Sequence, residues 1–163
     1  MARVYIALGS NLGDRALNLA RALELLAEGV EIKSASRVYE TEPWGVTEQP
    51  RFLNQVVGGE TTLEPAFLLS FLKSIETSMG RIGTVRYGPR LIDLDILLYE
   101  ERVVQSTGLV IPHPRLTERR FVLVPLADIG PDLVHPGLGV TVRDLLDRLP
   151  DDSSVTLYEP RDQ

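Results

Sequence analysis

The period of the apolar positions changes several times along the chain. Arg3–Leu8 is rich in Val, Tyr and Ile and is stopped by Gly9, which predicts a first strand. Gly9-Ser10-Asn11-Leu12-Gly13-Asp14 has turn chemistry, with Asn11 or Asp14 suited to cap a following helix. Ala16, Leu19, Ala20, Leu23, Leu26 and Ala27 recur at helical spacing, and Gly29 closes that helix. Val30–Tyr39 predicts a second strand, whereas Glu40–Arg51, with Pro43, Gly45 and Pro50, has no period and reads as a long loop. Loops of about 12 residues in compact domains are more often functional than accidental. Phe52–Thr61 predicts a third strand, in which Gly58-Gly59 marks a bulge or a close backbone approach. Pro65 opens a second helix with the stripe Leu68, Phe71, Leu72, Ile75 and Met79, ended by Gly80. Arg81–Pro89 then leads into Leu91–Tyr99, the strongest strand pattern in the chain. Val103-Val104 suits a short edge strand. Thr141 with Asp144 resembles a capping box for a last helix through Leu149, and the tail beyond Pro150 is expected to be loosely held.

The order strand, helix, strand, strand, helix, strand is that of the split βαβ unit. It predicts an α+β fold: a ferredoxin-like βαββαβ core, a mostly antiparallel sheet with helices packed on it, and a helical C-terminal extension. A length of 163 residues suits one domain spanning residues 1–163. The apolar share of 44% allows a real core, and no apolar run approaches the ~18 residues that cross a bilayer. No signal-peptide pattern opens the chain, and the absence of cysteine excludes disulfides and thiolate metal sites. A cytoplasmic protein without a membrane partner is expected.

Net charge of −6 argues against nucleic-acid binding, because phosphate neutralisation dominates that affinity. The charge is nonetheless uneven. Thr77–Ile92 contains no acid but holds Arg81, Arg86 and Arg90, and Val103–Thr117 contains no acid but holds His113 and Arg115. Arg119 and Arg120 follow. Local arginine pockets in an acidic protein suit a small anion.

The sharpest local pattern is Arg90-Leu91-Ile92-Asp93-Leu94-Asp95. Residues two apart on a strand share a face, so Asp93 and Asp95 project together, ~6.6 Å apart at the backbone. Ile92, Leu94, Ile96 and Leu98 project to the other face. Adjacent carboxylates on an apolar strand call for positive charge between them, and magnesium, which combines carboxylates with phosphate oxygens and water, meets that need. Salt-bridged surface aspartates are the alternative. Arg81, Arg86 and Arg90 suit phosphate, or a solvated loop. His113, held between Pro112 and Pro114, suits donation to phosphate or a hydrogen bond within a turn. Phe52 and Phe121 suit a stacking slot or the core, and Asn54 a heterocycle edge or a strand-end turn. The Gly9–Gly13 turn lacks the ending of a Walker loop and reads as a tight turn near the site.

Taken together, these segments resemble the 6-hydroxymethyl-7,8-dihydropterin pyrophosphokinase family. The matching pieces are Tyr5–Gly13, Tyr39-Glu40-Thr41-Glu42-Pro43, Gln49–Asn54, Arg86–Asp95, Ile111-Pro112-His113-Pro114, Arg119 and Phe121, in order over nearly the whole chain. The resemblance implies transfer of a pyrophosphoryl group from ATP to a reduced pterin in folate biosynthesis, with AMP as second product. It implies that Asp93 and Asp95 hold two magnesium ions and act in catalysis with Arg81 and Arg90. Glu76, Arg86, Arg90, Ile96, His113 and Arg119 would contact ATP. Thr41, Pro43, Trp44, Phe52, Asn54 and Phe121 would bind the pterin, with Phe52 and Phe121 stacking on its ring. Mobile loops matching Pro43–Phe52 and Arg81–Ile92 and a monomeric state are implied too. Tyr87 and Trp44 depart from the family's usual residues. The competing classes are another two-metal nucleotide enzyme such as a nucleotidyltransferase, a ferredoxin-like RNA-binding module, and a catalytically dead pterin-binding domain.

Overall fold

The computed structural model describes residues 1–42, 48–80, 91–150 and 154–159. Within them the chain forms β1 (Ala2–Ser10), α1 (Arg15–Leu26), β2 (Glu31–Ala35), β3 (Tyr39–Thr41), β4 (Phe52–Thr61) and α2 (Pro65–Ser78), then β5 (Asp93–Tyr99), β6 (Val104–Ser106) and β7 (Leu109–Ile111). A short 3-10 turn over Leu116–Glu118, α3 (Arg120–Ile129), α4 (Val142–Asp147) and β8 (Val155–Leu157) complete it. The main sheet runs β5-β1-β4-β3-β8, with β2 also on β4, and every pairing is antiparallel. The strands β5, β1, β4 and β2 reproduce the expected split βαβ arrangement.

The predicted second strand is two strands. Both lie on the same side of β4, β2 opposite Ala35↔Val57 to Glu31↔Glu60 and β3 opposite Phe52 to Asn54. Between them Ser36 interrupts the ladder: its N–H donates to the Val56 carbonyl at 2.8 Å, but its hydroxyl accepts the Val56 N–H at 2.9 Å. A side-chain oxygen thus takes the place of a ladder carbonyl, and the chain turns there. Gly58-Gly59 does lie opposite a bulge, where the register of β2 shifts between Ile32 and Ser34.

Alternation along the strands divides the core in two. Val4, Ile6, Leu8, Leu53, Val57, Leu94 and Ile96 meet α1 and α2 through Leu19, Ala22, Leu26, Leu68, Leu72 and Ile75. Val56, Leu97 and Leu98 meet α3 and α4 through Val122, Leu123, Leu126, Val142 and Leu145, with Tyr5 and Ala7 alongside. Leu98 therefore departs from the expected face. The β1–β5 register shifts between Tyr5 and Ile6, which are opposite Leu98 and Ile96, and the extra residue reverses the alternation.

The helix signals are realised in detail. Asp14 accepts from Leu17 N–H at 3.1 Å at the start of α1, Pro65 opens α2, and Gly80 ends it with φ +93°. Thr141 caps α4 by accepting from Asp144 N–H at 3.1 Å. Val104 pairs within a separate β6–β7 hairpin instead of edging the sheet. The C-terminal tail differs from expectation most: β8 is hydrogen-bonded to β3 as an outer strand of the main sheet. On the α3 side, Asp128 accepts from Tyr39 Oη at 2.8 Å and from Arg37, clamping the end of α3 to the start of β3. Burial raises the Asp128 carboxyl, but the Arg37 and Tyr39 hydrogen bonds outweigh it and leave the group below its ordinary value.

Candidate active site

Three adjacent strands build the floor of the site. Gly9 of β1 stands opposite Asn54 of β4 on one side and Asp93 of β5 on the other, and the next row along the same face is Val56, Ala7 and Asp95. Gly9 is not the turn residue expected but a strand residue at the centre of this row. A Cβ at Gly9 would lie 2.8 Å from Asn54 Oδ1 and 3.4 Å from Phe52 Cδ1. Phe52 and Asn54 thus lean over bare backbone, and a slot one residue wide separates an amide from a carboxylate. The Asn54 amide donates to the Thr41 hydroxyl at 2.6 Å, and Thr41 is buried. This bond fixes which way the amide faces.

The next turn is tied to the same floor. Asn11 is buried, and its Nδ2 donates to Gln49 Oε1 at 2.8 Å and to the Pro50 carbonyl at 3.0 Å. The Ser10–Leu12 turn thereby holds the chain that enters β4 just ahead of Phe52. Asp14 does the capping, which frees Asn11 for this role. The sequence places Gly9 and Asn11 in a tight turn near the site but names no partner for either, because Asn54 and Gln49 lie far along the chain.

Asp93 and Asp95 do share the face, as their spacing predicts. Asp95 is pushed up to about 7, first by burial and then by the Asp93 carboxylate, with Arg119 pulling the other way. Its side chain keeps 42% of its surface open to water. A ligand can therefore reach this carboxyl. Crowded oxygens of this kind fit a hard divalent cation, which would relieve the repulsion and favour both ionised forms. Among the described residues no third His, Asp or Glu joins them in a metal-binding group. The remaining coordination positions would fall to phosphate and water.

His113 follows a cis Ile111–Pro112 bond, and its N–H donates to the Leu97 carbonyl at 3.0 Å. Its Nδ1 accepts the Arg115 N–H at 3.2 Å, which leaves the proton on Nε2, 4.0 Å from Asp95 Oδ1. Burial, then Arg119, lowers the imidazole to about 4, against the pull of Asp93, so the ring is a neutral donor at physiological pH. The turn reading of His113 holds through Nδ1, and Nε2 keeps an N–H on the Asp95 side. Arg119 precedes α3, and its guanidinium carbon is 5.5 Å from the centroid of the Phe121 ring. Cationic and aromatic groups are thus coupled at the helix start, on the sheet face that carries Phe52.

Glu76 is 3% exposed and belongs to the buried side of α2. Its Oε2 accepts the Leu94 N–H at 2.8 Å, holding the backbone between the two aspartates from the α2 side of the sheet. Replacing it with alanine strands a buried donor and is expected to cost about 1–3 kcal/mol in urea unfolding, whereas Glu76→Gln, which keeps an acceptor, costs much less. Equal losses in the two variants would mean that charge, not the Leu94 bond, sets its role. The Ile96 side chain is buried in the α2-side core, so only its backbone is available to a nucleotide. Lys73 on α2 adds positive field at Asp95 and was not foreseen. Pro43, Trp44, Arg81, Arg86 and Arg90 lie outside the described residues. An open groove of about 1110 Å³ lined by Arg3, Tyr5, Leu98 and Val134 lies at the other end of this sheet face.

Residues 5–131 match the profile of 7,8-dihydro-6-hydroxymethylpterin-pyrophosphokinase. The 2-amino-4-hydroxy-6-hydroxymethyldihydropteridine pyrophosphokinase of Methylorubrum extorquens is 49% identical over 151 residues, 91% of this chain and 94% of that protein. Its namesake from Aquifex aeolicus is 45% identical over 136 residues, 83% of this chain and 85% of that protein. The folic acid synthesis protein fol1 of Schizosaccharomyces pombe is 46% identical over 97% of this chain, which spans only 22% of that longer protein. Among solved structures, Plasmodium falciparum HPPK-DHPS superposes with a TM-score of 0.74 at 18% identity, covering 90% of this chain and 43% of that one, a likeness of fold. With the fold, the paired aspartates and the Phe52–Asn54 slot already in hand, these matches establish that the chain belongs to the 7,8-dihydro-6-hydroxymethylpterin pyrophosphokinase family.

Proposed function

We propose that this chain transfers the pyrophosphoryl group of ATP to the hydroxymethyl oxygen of 6-hydroxymethyl-7,8-dihydropterin, releasing AMP, as a step in folate biosynthesis. The observation that carries the reading is the row Asn54, Gly9, Asp93, which sets a heterocycle-reading amide and a phosphate-side carboxylate on either side of bare backbone. A flat pterin fits that slot with its edge on Asn54, its faces toward Phe52 and Phe121, and its hydroxymethyl arm toward the aspartates. Thr41 orients the amide, and Pro43 and Trp44 supply the neighbouring contacts.

Asp93 and Asp95 are the residues that would hold magnesium, two ions in this reading, and the ions would neutralise phosphate charge and polarise the phosphoryl oxygens. The protein's own part is orientation and charge. His113, neutral and with its proton on Nε2, donates to a phosphate oxygen without needing to titrate. Arg119, with Arg81, Arg86 and Arg90, stabilises the charge that grows on the bridging oxygen as AMP departs. Glu76 acts through Leu94 by keeping the aspartate strand in place. No residue is required as a dedicated general base, and holding the hydroxyl in line with the β-phosphorus supplies much of the acceleration. One copy of the chain provides every residue in this account, so a monomer suffices, and a cytoplasmic setting remains the expectation.

The test is nucleotide analysis after incubation with ATP and magnesium, with and without the reduced pterin. Pterin-dependent AMP is expected. ADP in its place would mean ordinary γ-phosphoryl transfer and would refute attack at the β-phosphorus. Released pyrophosphate with AMP joined to the acceptor would indicate a nucleotidyltransferase.

A further inference from the structure

The C-terminal strand lies against the part of the sheet that orients the pterin slot. Its register with β3 is Tyr39↔Leu157, Glu40↔Thr156 and Thr41↔Val155. The contact continues past both ends, with Glu42 N–H donating to the Ser154 carbonyl at 3.0 Å and Tyr158 N–H donating to the Val38 carbonyl at 2.9 Å. A strand as short as β3, paired on one side only, is a weak platform, because few ladder bonds oppose its fraying. Yet β3 ends in Thr41, the residue that fixes the Asn54 amide, and continues through Glu42 into the segment that carries Pro43 and Trp44.

A single arginine draws the same parts together. Arg15, at the start of α1, donates to Glu40 Oε2 at 2.7 Å and to the Arg51 carbonyl at 3.0 Å, and its guanidinium carbon lies 5.9 Å from the Tyr158 ring centroid. The tail, β3 and the chain just ahead of Phe52 therefore meet at one point. The aspartates and His113 lie toward the opposite edge of the sheet, on or beside β5.

We propose that Ser154–Tyr158 is a positioning element of the pterin site: it closes the outer edge of β3 and so sets Thr41 and Asn54 without touching the substrate. The proposal rests on the pterin reading above. It predicts a split, because an element on the β3 edge bears on pterin recognition and leaves the ATP side unchanged.

Thr156→Pro is the selective test. Antiparallel partners exchange both backbone bonds at every second pair, and the Glu42–Ser154 and Val38–Tyr158 bonds make Glu40–Thr156 the intervening bonded pair. Proline removes its donor and alters no residue of the slot. The expected result, in Thr156→Pro and in a chain lacking residues 154–163, is a rise of about tenfold or more in the pterin KM, the loss of roughly one aligned contact. The ATP KM should stay within about twofold, and Thr156→Val, which retains the N–H, should match the parent. Asn54→Ala is assayed beside them. An unchanged pterin KM in the tail variants, with Asn54→Ala impaired, overturns the proposal alone. No effect in Asn54→Ala overturns the pterin reading beneath it. Equal loss of ATP and pterin affinity in Thr156→Pro would make the tail a general stabiliser and also overturn the proposal.

Discussion

Asp95→Asn is expected to lower pterin-dependent AMP formation by about 10³-fold, the equivalent of some 4 kcal/mol of lost charge stabilisation, while the metal-free protein melts no earlier than the parent. The two outcomes have one cause. Asp95 and Asp93 share a face, and burial together with the Asp93 carboxylate disfavours the ionised form of Asp95 until positive charge is placed beside it. Asparagine keeps the shape but cannot offer that charge to a cation. For stability the sign runs the other way. The Asp95 carboxyl stands near 7 in the folded state and at about 4 in an unfolded chain, so between these values the folded form binds more protons. Stability contributed by this group therefore falls as pH rises through that window and is fully lost above it. Asp95→Asn removes that penalty, so thermal melts in EDTA at pH 8 should show an equal or higher midpoint. Turnover within tenfold of the parent would remove Asp95 from the metal site, and a collapsed melt would assign it a structural role.

Gly59→Ala is expected to destabilise the fold by about 2–3 kcal/mol, although it adds one methyl group far from any catalytic residue. A Cβ at this position would sit 2.4 Å from the Glu31 carbonyl oxygen and 2.9 Å from Val30 Cγ1. The first contact is backbone in β2, at the pair where the bulge begins, so relief requires moving a strand. Gly29 gives the comparison: its Cβ would meet the Phe71 ring at 2.7 Å, but an aromatic side chain can move aside. Urea unfolding should rank Gly59→Ala well below Gly29→Ala. If the two lose stability equally, the β2–β4 approach is softer than its geometry implies.

Local signals account for the parts of this protein that were legible in advance. Pro65, Gly80, Asp14 and Thr141 act through their own backbone neighbours, so helix ends follow from a few adjacent residues. The shared face of Asp93 and Asp95 follows from strand alternation, and the Gly58-Gly59 bulge site from the close packing that only glycine permits. Three misjudged places share a different origin. Ser36 divides a strand because its hydroxyl meets Val56, 20 residues on. Leu98 changes face because β5 bulges against β1, and alternation does not survive an inserted residue. Val155–Leu157 in the tail form a strand because β3 leaves them an edge to pair with.

By itself the sequence determined the element order, the split βαβ class, the paired carboxylates and the resemblance to a pterin pyrophosphokinase, since each depends on residue type at short spacing. Only the tertiary structure decided that Gly9 is the floor of a slot, that Glu76 is a buried anchor for Leu94, that His113 keeps its proton on Nε2, and that the C-terminus braces β3. Three of these are contacts between segments distant in the chain, and the His113 tautomer follows from the way its own turn folds onto Nδ1. Periodicity reports which face a residue takes, whereas its partner is chosen by how strands and helices come together.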